Sequence, residues 1–337
     1  MNHLTFDSRK PMDFIAIGRL CIDLNANEIN RPMEETVTFT KYVGGSPANI
    51  TIGMSRLGMK TGFIGRVADD QMGRFILGYL EKNHIDTSSV ITDKSGSVTG
   101  LAFTEIKSPT DCSILMYREN AADLKLEPKD VREEYIKQAK AILISGTALA
   151  KSPSREAVFL ALDYARKHGA VVFFDLDYRP YTWNSKEETA IYYNLAAEKC
   201  DVIIGTREEF DMMECFESNM NHDDYVTAKK WFDYHAKIVV IKHGKDGSIA
   251  YTKEGESFKG TIFPANVIKT FGAGDSYAAG FIYGLMQGWD IPKSMEYGAA
   301  AASIVISSHS CSDAMPTVEQ IESYIQKCRN GKIITTI

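Results

Sequence analysis

A chain of 337 residues, 44% hydrophobic and 24% charged, has the make-up of an ordinary globular protein and can bury a large core. Its formal charge of −6, with acids and bases scattered along the chain, excludes the basic face that specific nucleic-acid binding needs. No run of about 18 apolar residues marks a membrane span, and MNHLTFDSRKPMDF lacks the apolar centre of a signal peptide, so the cytoplasm is the expected compartment.

In chain order, the first apolar run, FIAIG (Phe14 to Gly18), reads as a buried parallel strand. VTFTKY (Val37 to Tyr42) alternates with period two and reads as an antiparallel strand outside the main sheet. Asp69 and Asp70 are placed to cap a helix from Gln71 to Lys82. A second alternating stretch, Val98 to Tyr117, turns at Ser108-Pro109-Thr110. AILISG (Ala141 to Gly146), AVVFFDLD (Ala170 to Asp177), DVIIGT (Asp201 to Thr206) and KIVVIKHG (Lys237 to Gly244) are further buried strands. Between the first two, Ser154 to His168 aligns Ala157, Val158, Ala161, Leu162 and Ala165 on one helical face, and Gly169 stops the helix.

This alternation predicts a doubly wound α/β sheet. The period-two segments, about 24–43 and 98–118, predict a small β lid over its crevice. Without repeats or linkers, residues 1–337 are expected to form one domain. Asp175 and Asp177 end a predicted strand, where α/β crevices lie, and suit either a metal or a loop cap. Tyr181 and Trp183 are expected to pack rather than to stack on a ligand. The small-residue run AAAAS (Ala299 to Ser303) lets a nucleotide or a neighbouring helix approach closely. The six cysteines include no Cys-x-x-Cys pair and are expected to stay reduced; the seven histidines show no zinc-ligand spacing.

Chemistry concentrates in IKTFGAGDSYAAGF (Ile268 to Phe281). A helix starting near Gly272 puts Ala273, Tyr277, Ala278, Phe281 and Leu285 along one face. Gly272, Ala273 and Gly274 then sit at its N-terminus, where amides lack helical partners and the dipole is positive, a natural seat for phosphate. Asp275 in that first turn is expected to stay ionised and can take the proton of an attacking hydroxyl. Plain complementation of the helix dipole is the competing account of a Gly-x-Gly-Asp. A dinucleotide fingerprint would need glycine at Tyr277, and no Gly-Lys-Ser/Thr supplies a P-loop.

GAGDSYAAGF, VGGSPANITIGMSRLG (Val43 to Gly58) and GRLCIDLN (Gly18 to Asn25) together resemble, in order and across nearly the whole chain, the ribokinase-like (PfkB-type) carbohydrate kinases. The resemblance implies a three-layer α/β/α sandwich with a small β-sheet lid, ATP and Mg2+ as cofactors, and phosphoryl transfer to a primary hydroxyl of a small sugar. It implies Asp275 as the base, with Gly272, Ala273 and Gly274 as the anion hole. GRLCIDLN matches the family's first strand, and its Asp23, with Gly45 and Asn49, would hold sugar hydroxyls. GTREEF (Gly205 to Phe210) matches the segment in which Glu209 organises magnesium through water, although Thr206 stands where asparagine is usual. KHGKDG (Lys242 to Gly247), with Lys242, Gly244 and Gly247, would lie beside the nucleotide.

Arg118 and Arg179 match positions at which the 2-keto-3-deoxygluconate kinases of this superfamily bind a carboxylate, so a keto-deoxy sugar acid is preferred over a neutral sugar such as fructose. A catalytically silent sugar sensor on the same fold is the non-enzyme alternative, and a homodimer through the lid is an arrangement the resemblance allows. Lys269 stands where many such enzymes carry an aspartate beside a bound monovalent cation. Either its ammonium substitutes for that ion, or it points to solvent and the cation site is absent.

Overall fold

The computed structural model describes residues 3–217 and 222–331. Its strands are β1 (Met12–Ile17), β2 (Cys21–Ala26), β3 (Phe39–Gly44), β4 (Thr61–Ala68), β5 (Asp86–Asp93), β6 (Gly100–Ser108), β7 (Asp111–Tyr117), β8 (Ala139–Ser145), β9 (Val171–Asp175), β10 (Val202–Thr206), β11 (Ile238–Lys242), β12 (Ser248–Thr252) and β13 (Ser257–Lys259). The helices are α1 (Ser46–Arg56), α2 (Gln71–Lys82), α3 (Glu133–Ile136), α4 (Ser154–Lys167), α5 (Lys186–Ala197), α6 (Arg207–Met213), α7 (Asp224–Phe232), α8 (Ala273–Met286), α9 (Ile291–Ile306) and α10 (Val318–Arg329).

Among the described residues, nine strands form one sheet in the order β13-β12-β11-β10-β9-β8-β1-β4-β5, parallel from β5 to β11 with two antiparallel strands at one edge. Each central strand is apolar on both faces. Phe14 and Ala16 of β1 join the core shared with α1, α8 and α9, whereas Ile15 and Ile17 join the opposite core with α4 and α5. That two-sided burial is what a parallel sheet between two helical layers requires. α4 buries the five residues expected on its apolar face, and Gly169 ends it at φ +63°. Asp70 caps α2, accepting from the Gly73 amide at 2.7 Å.

The second sheet has the order β3-β2-β6-β7. Its hairpin turns where expected, with Ser108 Oγ accepting from the amides of Thr110 and Asp111. Two readings are corrected. β2 pairs in parallel with β6, so the lid is not wholly antiparallel. GRLCIDLN is not one strand either: β1 ends at Ile17, Gly18 turns the chain at φ +142°, and Asp23 lies on β2, in the lid sheet. Trp183 is buried against Tyr192 and Tyr193, whereas Tyr181 is exposed and faces the cleft described below. No helix among the described residues is long and apolar enough to cross a membrane.

α8 is buried on all sides, so it must touch α9 closely. A Cβ at Gly280 would lie 2.9 Å from the Tyr297 carbonyl oxygen and 3.0 Å from Gly298 Cα, both backbone atoms that cannot swing aside. Gly280 and Gly298 thus admit the neighbouring helix backbone. Gly280→Ala is expected to destabilise the protein by about 1–3 kcal/mol through overpacking. Gly78→Ala, on the exposed face of α2 with no atom within 4 Å of its Cβ, should stabilise by roughly 0.5–1 kcal/mol. Denaturant unfolding of the two variants checks the pair, and equal effects would contradict this account of the helix contact.

Candidate active site

A cleft of about 420 Å³ opens between the lid sheet and the carboxyl ends of the parallel strands. The strand ends deliver Arg19 after β1, Asp175 and Asp177 at and after β9, Thr206 at the end of β10, and Lys242 at the end of β11. The lid delivers Asp23, and α1 delivers Asn49. The floor is the start of α8, with Gly272, Gly274 and Asp275.

Glycines make this convergence sterically possible. Gly272 holds φ +79° at the N-cap of α8, where a Cβ would meet Cys311 Sγ at 2.7 Å. A Cβ on Gly44 would sit 2.0 Å from the Asp23 carboxylate, and one on Gly45, at φ +105°, would sit 2.4 Å from the Arg19 carbonyl oxygen. The Gly-Gly turn is thus what lets β2 and the end of β1 approach the start of α1.

Asn49 Nδ2 donates to Asp275 Oδ2 at 2.8 Å, and the buried Asn49 Oδ1 has no partner within the protein. One amide therefore orients the carboxylate and offers an acceptor to the cleft. The surroundings of Asp275 act on its charge as well as the helix end does. Burial raises its pKa above the usual carboxylate range, Asp177 adds to the rise, and the bond from Asn49 opposes it. Asp23 is likewise pushed up to about 6 by burial, with Arg19 pulling the other way. Burial also raises Asp175, which accepts from Ser46 Oγ and is held down by Lys242.

Glu209 is 8% exposed and uses both oxygens on backbone amides: Oε1 accepts from Tyr178 N at 2.8 Å and Oε2 from Thr206 N at 2.7 Å. The Thr206 hydroxyl in turn accepts from the Glu209 amide at 3.3 Å, completing a capping box at the start of α6. Lys242 reaches the helix end: its Nζ would lie 3.2 Å from a Cβ at Gly274. Gly244 (φ +57°) and Gly247 (φ +93°) shape the turn after β11 but do not line the cleft.

The structure does not bring Arg118 to the cleft. It is 6% exposed, and its guanidinium is held by Asp123 and, at 3.1 Å, by the Thr147 carbonyl. Arg179 does line the cleft, with Nη2 2.5 Å from Asp177 Oδ1. Lys269 does not point to solvent. It is wholly buried beneath the α8 turn, donating to the Phe271 carbonyl at 2.7 Å and the Val305 carbonyl at 3.4 Å, with Cys311 Sγ at 3.6 Å. Burial pushes the Cys311 thiol up to about 12, with Lys269 acting against the rise. Sequence reasoning missed Arg19 and Ser46, although both lie within quoted motifs, GRLCIDLN and VGGSPANITIGMSRLG, and follow strand ends.

A carboxylate in the first turn of a glycine-led helix, beneath a β lid at the carboxyl ends of parallel strands, defines the class: a ribokinase-like sugar kinase. The pfkB family carbohydrate kinase profile matches residues 13–318, and the chain belongs to that family. It is 85% identical to a 5-dehydro-2-deoxygluconokinase of Geobacillus thermodenitrificans (strain NG80-2), over 98% of each chain. Among solved structures it resembles a PfkB protein from Polaromonas sp. JS666 (TM-score 0.80, 26% identity, 93% of this chain and 99% of that one). It also shares its fold with a fructokinase with bound ATP from Xylella fastidiosa (TM-score 0.82, 23% identity, 93% and 98% of the two chains).

The Asn49–Asp275 bond has a testable consequence. A hydrogen bond to the ionised form lowers a carboxylate's pKa, so removing it raises Asp275 further. A base must be deprotonated to act, so with Asp275 as the base proposed below, Asn49→Ala should shift the acidic limb of the kcat/KM profile to higher pH. An unmoved or lowered limb would show that Asn49 does not set the charge of Asp275.

Proposed function

We propose that this carbohydrate kinase transfers the γ-phosphoryl group of ATP to a primary hydroxyl of a keto-deoxy sugar acid, 5-dehydro-2-deoxygluconate. The observation that carries the reading is Asp275, oriented by Asn49 at the amide-rich start of α8. The name borne by the Geobacillus relative supports the particular acid.

In this reading Asp275 accepts the proton of the attacking hydroxyl. The first-turn amides of Gly272, Ala273 and Gly274, joined by Lys242, stabilise charge on the transferring group. Asp23, Gly45 and the free Oδ1 of Asn49 receive the sugar hydroxyls. Arg179 faces the acid group. Gly244 and Gly247 shape the nucleotide end, and Thr206 serves there through its capping of α6.

Among the described residues no group of three or more acidic, histidine or cysteine side chains forms a metal cage. Glu209 and Asp175 nevertheless line the cleft, and this sparse oxygen set fits magnesium held largely by water and phosphate. When bound, the ion neutralises charge on the phosphate oxygens. Glu209 would hold it through water, since its own oxygens already bind amides.

ADP release by the wild type with keto-deoxy sugar acids and neutral sugars tests the substrate class, and preference for a neutral sugar would overturn it. Asp275→Asn should keep its fold and bind ATP yet lose about 10²-fold or more in kcat; near-normal turnover would remove Asp275 from the mechanism. The proposed role of Lys269 is a fixed cation supporting the Gly272–Gly274 turn. Wild-type activity should be indifferent to potassium at constant ionic strength, and Lys269→Met should lower kcat. Strong activation of the wild type by potassium would contradict that role.

A further inference from the structure

We propose that Arg19 is a specificity-determining residue that, with Arg179, forms a two-guanidinium seat for the carboxylate of the substrate. The inference rests on the sugar-acid reading above and assigns the part first expected of Arg118.

The arginines buried elsewhere in this protein are saturated. Arg66 binds Asp130 at 2.7 Å, Asp93 at 3.0 Å and Glu127 at 3.2 Å, and Arg118 is clamped by Asp123 and the Thr147 carbonyl. A buried guanidinium demands such partners, because an unpaired charge or donor out of water is costly. Arg19 departs from the pattern. It is 6% exposed and lines the cleft, yet its Nε has no partner and its contact with Asp177 Oδ2 spans 3.5 Å. A charge-assisted hydrogen bond to a carboxylate is normally about 2.7–2.9 Å long. The structure thus keeps donor capacity in reserve at the wall of the cleft.

Asp177 organises the pair. Its Oδ1 takes Arg179 and its Oδ2 faces Arg19, so one carboxylate stands between two guanidiniums and leaves donors of Arg19 unmatched. Asp177 is 5% exposed and held at φ +37°, a conformation uncommon for a residue with a side chain, which places its carboxylate at this junction. An incoming carboxylate supplies the missing acceptors. The planar fork of arginine can give it two parallel hydrogen bonds, which a lysine cannot.

The test compares Arg19→Gln and Arg19→Lys with the wild type, using 5-dehydro-2-deoxygluconate and fructose as acceptors. Arg19→Gln is expected to raise KM for the acid roughly ten- to a hundredfold, to change kcat for it little, and to raise KM for fructose much less. Arg19→Lys should recover only part of the loss, as charge without the fork. A residue that merely pins Asp177 would move both KM values together, and that outcome, or an unchanged KM for the acid, overturns the proposal. Wild-type enzyme that turns over no sugar acid overturns the substrate reading and this inference with it. Wild-type turnover of the acid alongside an undiscriminating Arg19→Gln overturns the inference alone.

Discussion

Gathering five carboxylates around one cleft is the constraint from which the rest of this structure follows. Asp23, Asp175, Asp177, Glu209 and Asp275 all line it, and their mutual repulsion and desolvation must be offset by fixed positive groups. Arg19 and Arg179 flank Asp177, Lys242 offsets Asp175, and Lys269 lies beneath the α8 turn. Glu209 is neutralised differently, by two backbone amides. The balance remains incomplete, since burial still holds Asp23, Asp175 and Asp275 above the ordinary carboxylate range. A carboxylate with a raised pKa is a stronger base once ionised, which suits the proton transfer proposed for Asp275.

The backbone carries as much of the site as the side chains do. Gly272 lets α8 begin where a side chain would strike Cys311, and Gly44 and Gly45 let Asp23 and Arg19 meet the start of α1. α8 also packs against α9 along its length, with Gly280 admitting the close approach. The position of Asp275 is therefore tied to the main core, while Asp23 is tied to the lid sheet. Motion of the lid relative to the core would change the separation of these two groups, which gives lid closure a direct effect on the site.

Much of this was legible in the residues alone, for identifiable reasons. β1, β8, β9, β10 and β11 are buried on both faces and read as unbroken apolar runs, and the start of α8 is a local pattern of glycines before an acid. β4 was missed because Gly62, Gly65 and Arg66 interrupt its apolar run, and β5 because DTSSVITD is a polar edge strand. The parallel β2–β6 pairing joins segments about eighty residues apart and has no local signature. The contrast between Arg118 and Arg19 marks a firmer limit. Both arginines follow strands, and only their partners in space distinguish a saturated guanidinium from one with donors to spare. Lys269 was identified as a departure from the family pattern, but its burial depends on the packing of α9 and Cys311 over it.

The central claim is that Asp275 and the start of α8 act on one reacting centre. A crystal structure with the sugar acid, ADP, magnesium and aluminium fluoride, a mimic of the transferring phosphoryl group, measures that arrangement directly. The account predicts the mimic against the amides of Gly272 to Gly274, with the acceptor hydroxyl oxygen within about 3.2 Å of an Asp275 carboxylate oxygen. An acceptor hydroxyl directed at another group, with Asp275 out of hydrogen-bond reach, would contradict it.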